Sequence, residues 1–187
     1  MIFVGGIHGV GKTYLCTQLS QEHQLLHYSA STIISREKNE CFTRDKRISR
    51  ISTNQDFLKI GLNKLGIANK DFLLDGHFCL IDKDRSIVKI PEATFFSLSP
   101  KAIVTVTNSI DKVISNLKSR DDQDYDAQFL NDFQKEEINY SREIASKLDV
   151  PFYIYNPLKP TQEIFDFINN VLMENKIDKF ILKGRTC

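Results

Sequence analysis

The residues best placed to do chemistry are Gly6-Ile7-His8-Gly9-Val10-Gly11-Lys12-Thr13, which satisfy the spacing G-x-x-x-x-G-K-S/T directly after the apolar run Ile2-Phe3-Val4. In such a loop, glycines let successive backbone N–H groups converge on phosphate oxygens, and a helix starting near Lys12 adds the positive end of its dipole. Lys12 is expected to reach the β- and γ-phosphates, and the Thr13 hydroxyl to be a ligand of the bridging Mg²⁺. The nucleotide-binding set expected here is Gly6, His8, Gly9, Val10, Gly11, Lys12, Thr13 and Tyr14. The motif points to a purine nucleoside triphosphate.

A second group lies in Asp71-Phe72-Leu73-Leu74-Asp75-Gly76-His77-Phe78. An apolar run ending in an acid reads as a buried parallel strand whose carboxylate emerges at the ligand-binding edge of the sheet. Asp75 is thus the expected second Mg²⁺ residue, directly or through water, opposite Thr13. His77 reads equally as an acceptor contact, a water-orienting group or a structural histidine.

Arginines supply the third group. Residues 36–50 hold Arg36, Lys38, Arg44, Lys46, Arg47 and Arg50 with few apolar residues between them. They read either as a solvated face or as guanidinium forks converging on an anionic acceptor, with Arg36, Arg44, Arg47 and His77 as the substrate-binding candidates. Arg120 precedes the acidic stretch 121–126, which is either a solvated turn or a lid that brings Arg120 onto the transferring phosphoryl. The catalytic set expected is Lys12, Asp75 and Arg120.

The elements that must position these groups follow from periodicity. Apolar runs at 2–4, 25–29, 72–74, 102–106 and 151–155 read as strands, separated by helical patterns over 13–23, 53–66, 110–118, 127–148 and from Thr161 onward. Residues 80–90 read as a hairpin around the charged turn Asp82-Lys83-Asp84-Arg85-Ser86, and 92–98 as a short helix. The fold class predicted is α/β: a five-stranded parallel sheet with helices on both faces. The expected layout is one domain over 1–187, with an acceptor-binding insert at 30–66, the hairpin at 80–90 and a short lid at 119–126.

Bulk properties narrow the partners. With 25 Lys and Arg against 24 Asp and Glu, no global field points to nucleic acid or an anionic membrane. No apolar run approaches the ~18 residues of a membrane span, and a strand starting at residue 2 leaves no room for a leader, so a cytoplasmic location is expected. Cys16, Cys41, Cys79 and Cys187 are scattered without metal-ligand spacing, so they read as free thiols, with Cys16 a buried small hydrophobe of the first helix.

In this order, the motifs resemble the P-loop nucleoside monophosphate kinases, most closely the archaeal-type adenylate kinases, over residues 2–173. Asp75-Gly76-His77 matches that family's Asp-x-His strand end, Arg44-Asp45-Lys46-Arg47 its acceptor segment, Arg120-Asp121 its lid, and residues 134–139 its following helix. The resemblance implies that Asn156, after the last strand, lies by the adenine, and that ATP·Mg²⁺ donates its γ-phosphoryl to a small nucleotide. The chain departs from the family in its single lid arginine and in a hairpin where the family has a Pro- and Gly-rich acceptor loop. Two other readings stay open: a 5′-hydroxyl nucleic-acid kinase using the 36–50 cluster, and a regulatory ATPase meeting a protein partner through the apolar C-terminal tail.

Overall fold

The computed structural model describes residues 1–44, 54–67, 70–120 and 124–183, with side chains for 1–39, 54–67, 70–120 and 124–173. Strands β1 (Ile2–Gly5), β2 (Leu26–Ser29), β3 (Phe72–Asp75), β6 (Ala102–Val106) and β7 (Phe152–Tyr155) form one parallel sheet in the order β2-β3-β1-β6-β7. The central strands β1, β3 and β6 are buried along their whole length, which is why they are unbroken apolar runs rather than alternating ones. Helices cover both faces. Helix α1 (Lys12–His23) packs with α7 (Thr161–Lys183), and α6 (Ala127–Leu148) packs with α4 (Glu92–Leu98) and α5 (Ile110–Lys118).

The strand order itself makes the site. The chain leaves β1 toward β2 and β3 on one side and later crosses to β6 and β7 on the other, so a crevice opens at the carboxyl end of β1. The register sets Val4 and Ser29 beside Asp75, so the glycine-rich turn and the Asp75 carboxylate emerge at the same edge.

Helix α2 (Ala30–Arg44) runs on into the charged segment, because the residues from Arg36 onward continue the helix that starts after β2. Lys, Glu and Arg are good helix formers, and neither Gly nor Pro interrupts them. Helix α3 (Asn54–Lys64) crosses α2 closely at Gly61, where an added Cβ would lie 2.2 Å from Ile33 Cγ2. Beside this contact Lys64 pairs with the buried Glu37 at 2.5 Å.

The hairpin is present as β4 (Cys79–Ile81) and β5 (Ile87–Lys89), antiparallel to each other. Its turn is tied by Asp82, whose Oδ1 accepts from the N–H groups of Asp84 and Ser86. The hairpin is fixed to the body by an aromatic cluster: Phe78 lies 5.0 Å from Phe3 and stacks on Phe95 at 4.7 Å. The Tyr140 hydroxyl closes this corner by donating to Ile90 O at 2.6 Å.

Helix α7 continues as backbone through Lys183. The sequence reading of the apolar tail concerns side chains outside the described residues. Among the described residues no helix is long and apolar enough to cross a membrane.

Gly61→Val should destabilise the protein by about 1–3 kcal/mol through overpacking against Ile33, read as a lower urea midpoint. An unchanged midpoint would remove this crossing from the account of the fold.

Candidate active site

The turn after β1 holds its shape from outside. Asn116 on α5 donates to Gly9 O at 2.7 Å, and Asn108, after β6, donates to Val10 O at 3.3 Å. Gln134 on α6 fixes Asn108 in turn, accepting from its N–H and donating to its carbonyl. With these two carbonyls satisfied on the outer side, the loop can offer N–H groups inward. Gly11 has a φ of 107°, and a Cβ there would meet nothing within 4 Å, so its surroundings are open space rather than packing. It caps α1 without any side-chain bond, and no acid occupies the first turn to compete with a bound anion.

Beneath the loop is a residue the sequence reading missed. The buried Glu137 of α6 accepts from Gly6 N–H at 2.8 Å and Phe78 N–H at 2.9 Å on Oε1, and from Cys79 N–H at 2.7 Å on Oε2. Burial pushes its carboxyl up, while the amides of Phe78 and Cys79, Lys12 and the amide of Gly6 oppose the shift. A signal was present: Glu137 sits on the apolar stripe of α6 between Phe133 and Tyr140, where a charge needs a partner.

Lys12 is buried and its ammonium donates to Gly6 O at 2.6 Å, to Ile7 O at 3.0 Å and to His77 Nε2 at 3.2 Å. Burial brings it down to about 8, against the pull of Glu137 and Asp75. Because His77 accepts at Nε2, its ring proton sits on Nδ1. His77 is driven down to about 2, by burial first and then by Lys12 and His8, so the imidazole is neutral. Its ring lies 4.1 Å from that of His8, which burial, Lys12 and Arg120 also push down.

Asp75, 6% exposed, accepts at Oδ2 from His27 Nε2–H at 2.6 Å. His27 belongs to β2, beside β3 in the sheet, and the sequence reading assigned it no role.

Three cavities meet around these groups. A polar one of about 300 Å³ is lined by Gly9, Gly11, Lys12, Thr13, Tyr14, Asp75 and Arg120, with His8 and His77 on its wall. The second, about 320 Å³, shares His8, His77 and Ser31 with the first and runs over the apolar surface of Phe3, Leu58 and Phe95. Its rim carries Lys38, Asn54 and Gln55. The third, about 390 Å³, is lined by His8 and Arg120 together with Tyr125 and Phe129.

The structure thus brings together most of the residues singled out from the sequence. Gly6 and Val10 lie under the first cavity, buried, rather than on its wall. Arg36 is placed elsewhere, in a different cavity with Thr32, Glu37 and Lys64. On α2, Ser31, Ser35 and Lys38 are the residues turned to the second cavity, so Arg36 belongs to the other face of the helix. Asn156 shapes the turn after β7, its Oδ1 accepting from Leu158 N–H at 2.9 Å, and it lines none of these three cavities. The Arg44 side chain and all of Arg47 lie outside the described residues.

The loop, the strand order and the Asp75 edge define a nucleotide-binding P-loop NTPase. The chain belongs to the AAA domain family, which matches residues 5–134. No curated protein matches it in sequence. Among solved structures, it is similar to a shikimate kinase from Acinetobacter baumannii in complex with shikimate, at 16% identity and TM-score 0.55, covering 94% of this chain and 93% of that one. It is also similar to the Bacillus subtilis YorR protein in complex with phosphorylated GDP, at 16% identity and TM-score 0.54, covering 94% and 97%. A gluconokinase from Sinorhizobium meliloti is similar at 13% identity and TM-score 0.52, covering 97% and 95%. At these identities the likeness is one of fold, and acceptors as different as shikimate and gluconate accompany it.

Glu137→Gln sets an amide against one of three converging N–H donors and should cost about 1–3 kcal/mol of stability. Thermal unfolding checks this, and a variant as stable as the parent would show that the carboxylate does not hold the loop.

Proposed function

We propose that this protein is a kinase that transfers the γ-phosphoryl of ATP·Mg²⁺ to a small nucleotide-type acceptor. The observation that carries the reading is the shared wall of the two cavities: a phosphate on the loop and an acceptor over Phe3 and Leu58 would meet at His8, His77 and Ser31. Such juxtaposition is what phosphoryl transfer needs, since positioning and charge stabilisation supply nearly all of the catalysis.

The residues fit the donor. Lys12 has a buried ammonium resting on neutral oxygens and a neutral ring, so an incoming polyphosphate offers it a stronger, charged partner. The Thr13 hydroxyl and the Asp75 carboxylate are hard oxygen donors on one cavity, a set suited to Mg²⁺. When bound, that ion would neutralise charge on the β- and γ-phosphates. Arg120 is exposed at the junction of the first and third cavities, where it can turn onto the transferring group.

On the acceptor side, Lys38 is the cation of the described wall, and Arg44 and Arg47 complete our assignment as holders of an acceptor phosphate. The resemblance to nucleoside monophosphate kinases supports a nucleotide as acceptor. An acceptor phosphate is already a nucleophile near neutral pH and needs no general base.

The test is phosphoryl transfer from ATP·Mg²⁺ to a panel of nucleoside monophosphates, nucleosides and short 5′-hydroxyl oligonucleotides, with a control lacking acceptor. Preference for a monophosphate is the expected result, whereas acceptor-independent hydrolysis alone would overturn the kinase reading. Lys12→Ala should lower kcat by about two to three orders of magnitude with an unchanged circular dichroism spectrum. Arg120→Ala should lower kcat and kcat/KM together, since its contact is made in the transition state. A pure KM effect would instead make Arg120 a ground-state binding residue.

A further inference from the structure

We propose that Cys16, His27 and Asp75 form a site for a thiophilic divalent metal of the zinc class, which competes with Mg²⁺ for the Asp75 carboxylate. One ligand atom from each of the three residues lies within 4.8 Å of the other two. They come from three elements, α1, β2 and β3, and are far apart in sequence: the His27–Asp75 contact alone spans 48 positions.

The donor set decides the metal. Sulfur, imidazole nitrogen and carboxylate oxygen together suit Zn²⁺, which binds all three at about 2.0–2.3 Å in a compact tetrahedron. Mg²⁺ prefers six oxygens in a rigid octahedron and gains nothing from a thiol. The carboxylate belongs to both sites, because Asp75 also lines the phosphate cavity with Thr13. A soft metal drawn to Cys16 and His27 therefore takes from Mg²⁺ the acid that the transfer reaction needs.

Charge and protons balance. The metal brings two positive charges and meets one thiolate and one carboxylate, so the buried cluster ends neutral, which removes the main obstacle to burying an ion. Cys16 releases its thiol proton to solvent as the sulfur–metal bond forms. His27, which donates Nε2–H to Asp75 at 2.6 Å in the metal-free protein, shifts that proton to Nδ1 and turns the Nε2 lone pair to the metal. His27 has 19% of its side chain exposed and lines the cavity beside β2, so it gives the ion a way in. The fourth position remains for water or a phosphate oxygen.

The experiment uses the full chain without nucleotide, titrated with Co²⁺ as the spectroscopic stand-in for zinc. We expect a near-ultraviolet thiolate-to-cobalt charge-transfer band that saturates at equimolar metal, is erased by equimolar Zn²⁺ and survives excess Mg²⁺. In Cys16→Ala the band should vanish although Cys41, Cys79 and Cys187 remain. In His27→Asn the Co²⁺ affinity should fall at least about tenfold. Circular dichroism checks that each variant folds, and the near-isosteric Cys16→Ser serves if the alanine variant does not. No band in the native chain, or an unchanged band in a folded Cys16 variant, overturns the proposal. Because the readout needs neither ATP nor turnover, it stands or falls apart from the kinase reading. A transfer assay adds the consequence: micromolar Zn²⁺ should inhibit in the presence of excess Mg²⁺, and Cys16→Ala should relieve that inhibition.

Discussion

The site depends on charges held out of water. Lys12, Glu137 and Asp75 are each less than a tenth exposed, and desolvating an ion is costly unless hydrogen bonds and an opposite charge replace the lost solvent. Glu137 meets that cost with three converging backbone N–H donors, and in doing so ties α6 to the phosphate loop and to the chain leaving β3. Lys12 meets it with two loop carbonyls and the His77 ring. The loop is therefore not a free glycine-rich turn. Its conformation is over-determined by a carboxylate below it and by the amides of Asn108 and Asn116 at its side.

Such preorganisation is what phosphoryl transfer asks of a protein, since donors already aimed at developing charge need not reorganise during the reaction. Burial also keeps the His77 imidazole neutral where the first two cavities share a wall, so it accepts from Lys12 without repelling it. The second cavity runs over the apolar side chains of Phe3, Leu58 and Phe95 and also carries polar groups, among them His8, His77 and Lys38. The Phe3, Phe78 and Phe95 cluster and the Tyr140 hydroxyl fix the hairpin and α4 that close one side of it.

The cysteine reading shows how far local spacing reaches. Without a Cys-x-x-Cys pair or a Cys/His cluster of metal-ligand spacing, Cys16 reads as a buried hydrophobe, and buried it is. What spacing rules do not register is that β2 and β3 are sheet neighbours, which sets His27 against Asp75, and that α1 lies over both. Arg36 is the opposite case. Charge density grouped it with its neighbours, but the extension of α2 to Arg44 imposes a helical period that turns Arg36 and Lys38 to different cavities.

From the sequence alone came whatever has a local cause: the five strands, read from their apolar runs, the hairpin with its turn at Asp82, and the loop with Lys12, Thr13 and Asp75 on one edge. Tertiary structure alone decided which distant groups became partners. Glu137 reaches Gly6 across 131 positions, His27 reaches Asp75 across 48, and Asn116 reaches Gly9 across 107. The physical reason is that a motif encodes backbone conformation within a few residues, whereas the partner of a buried charge is fixed by the order of strands in the sheet and by which helix face packs against it.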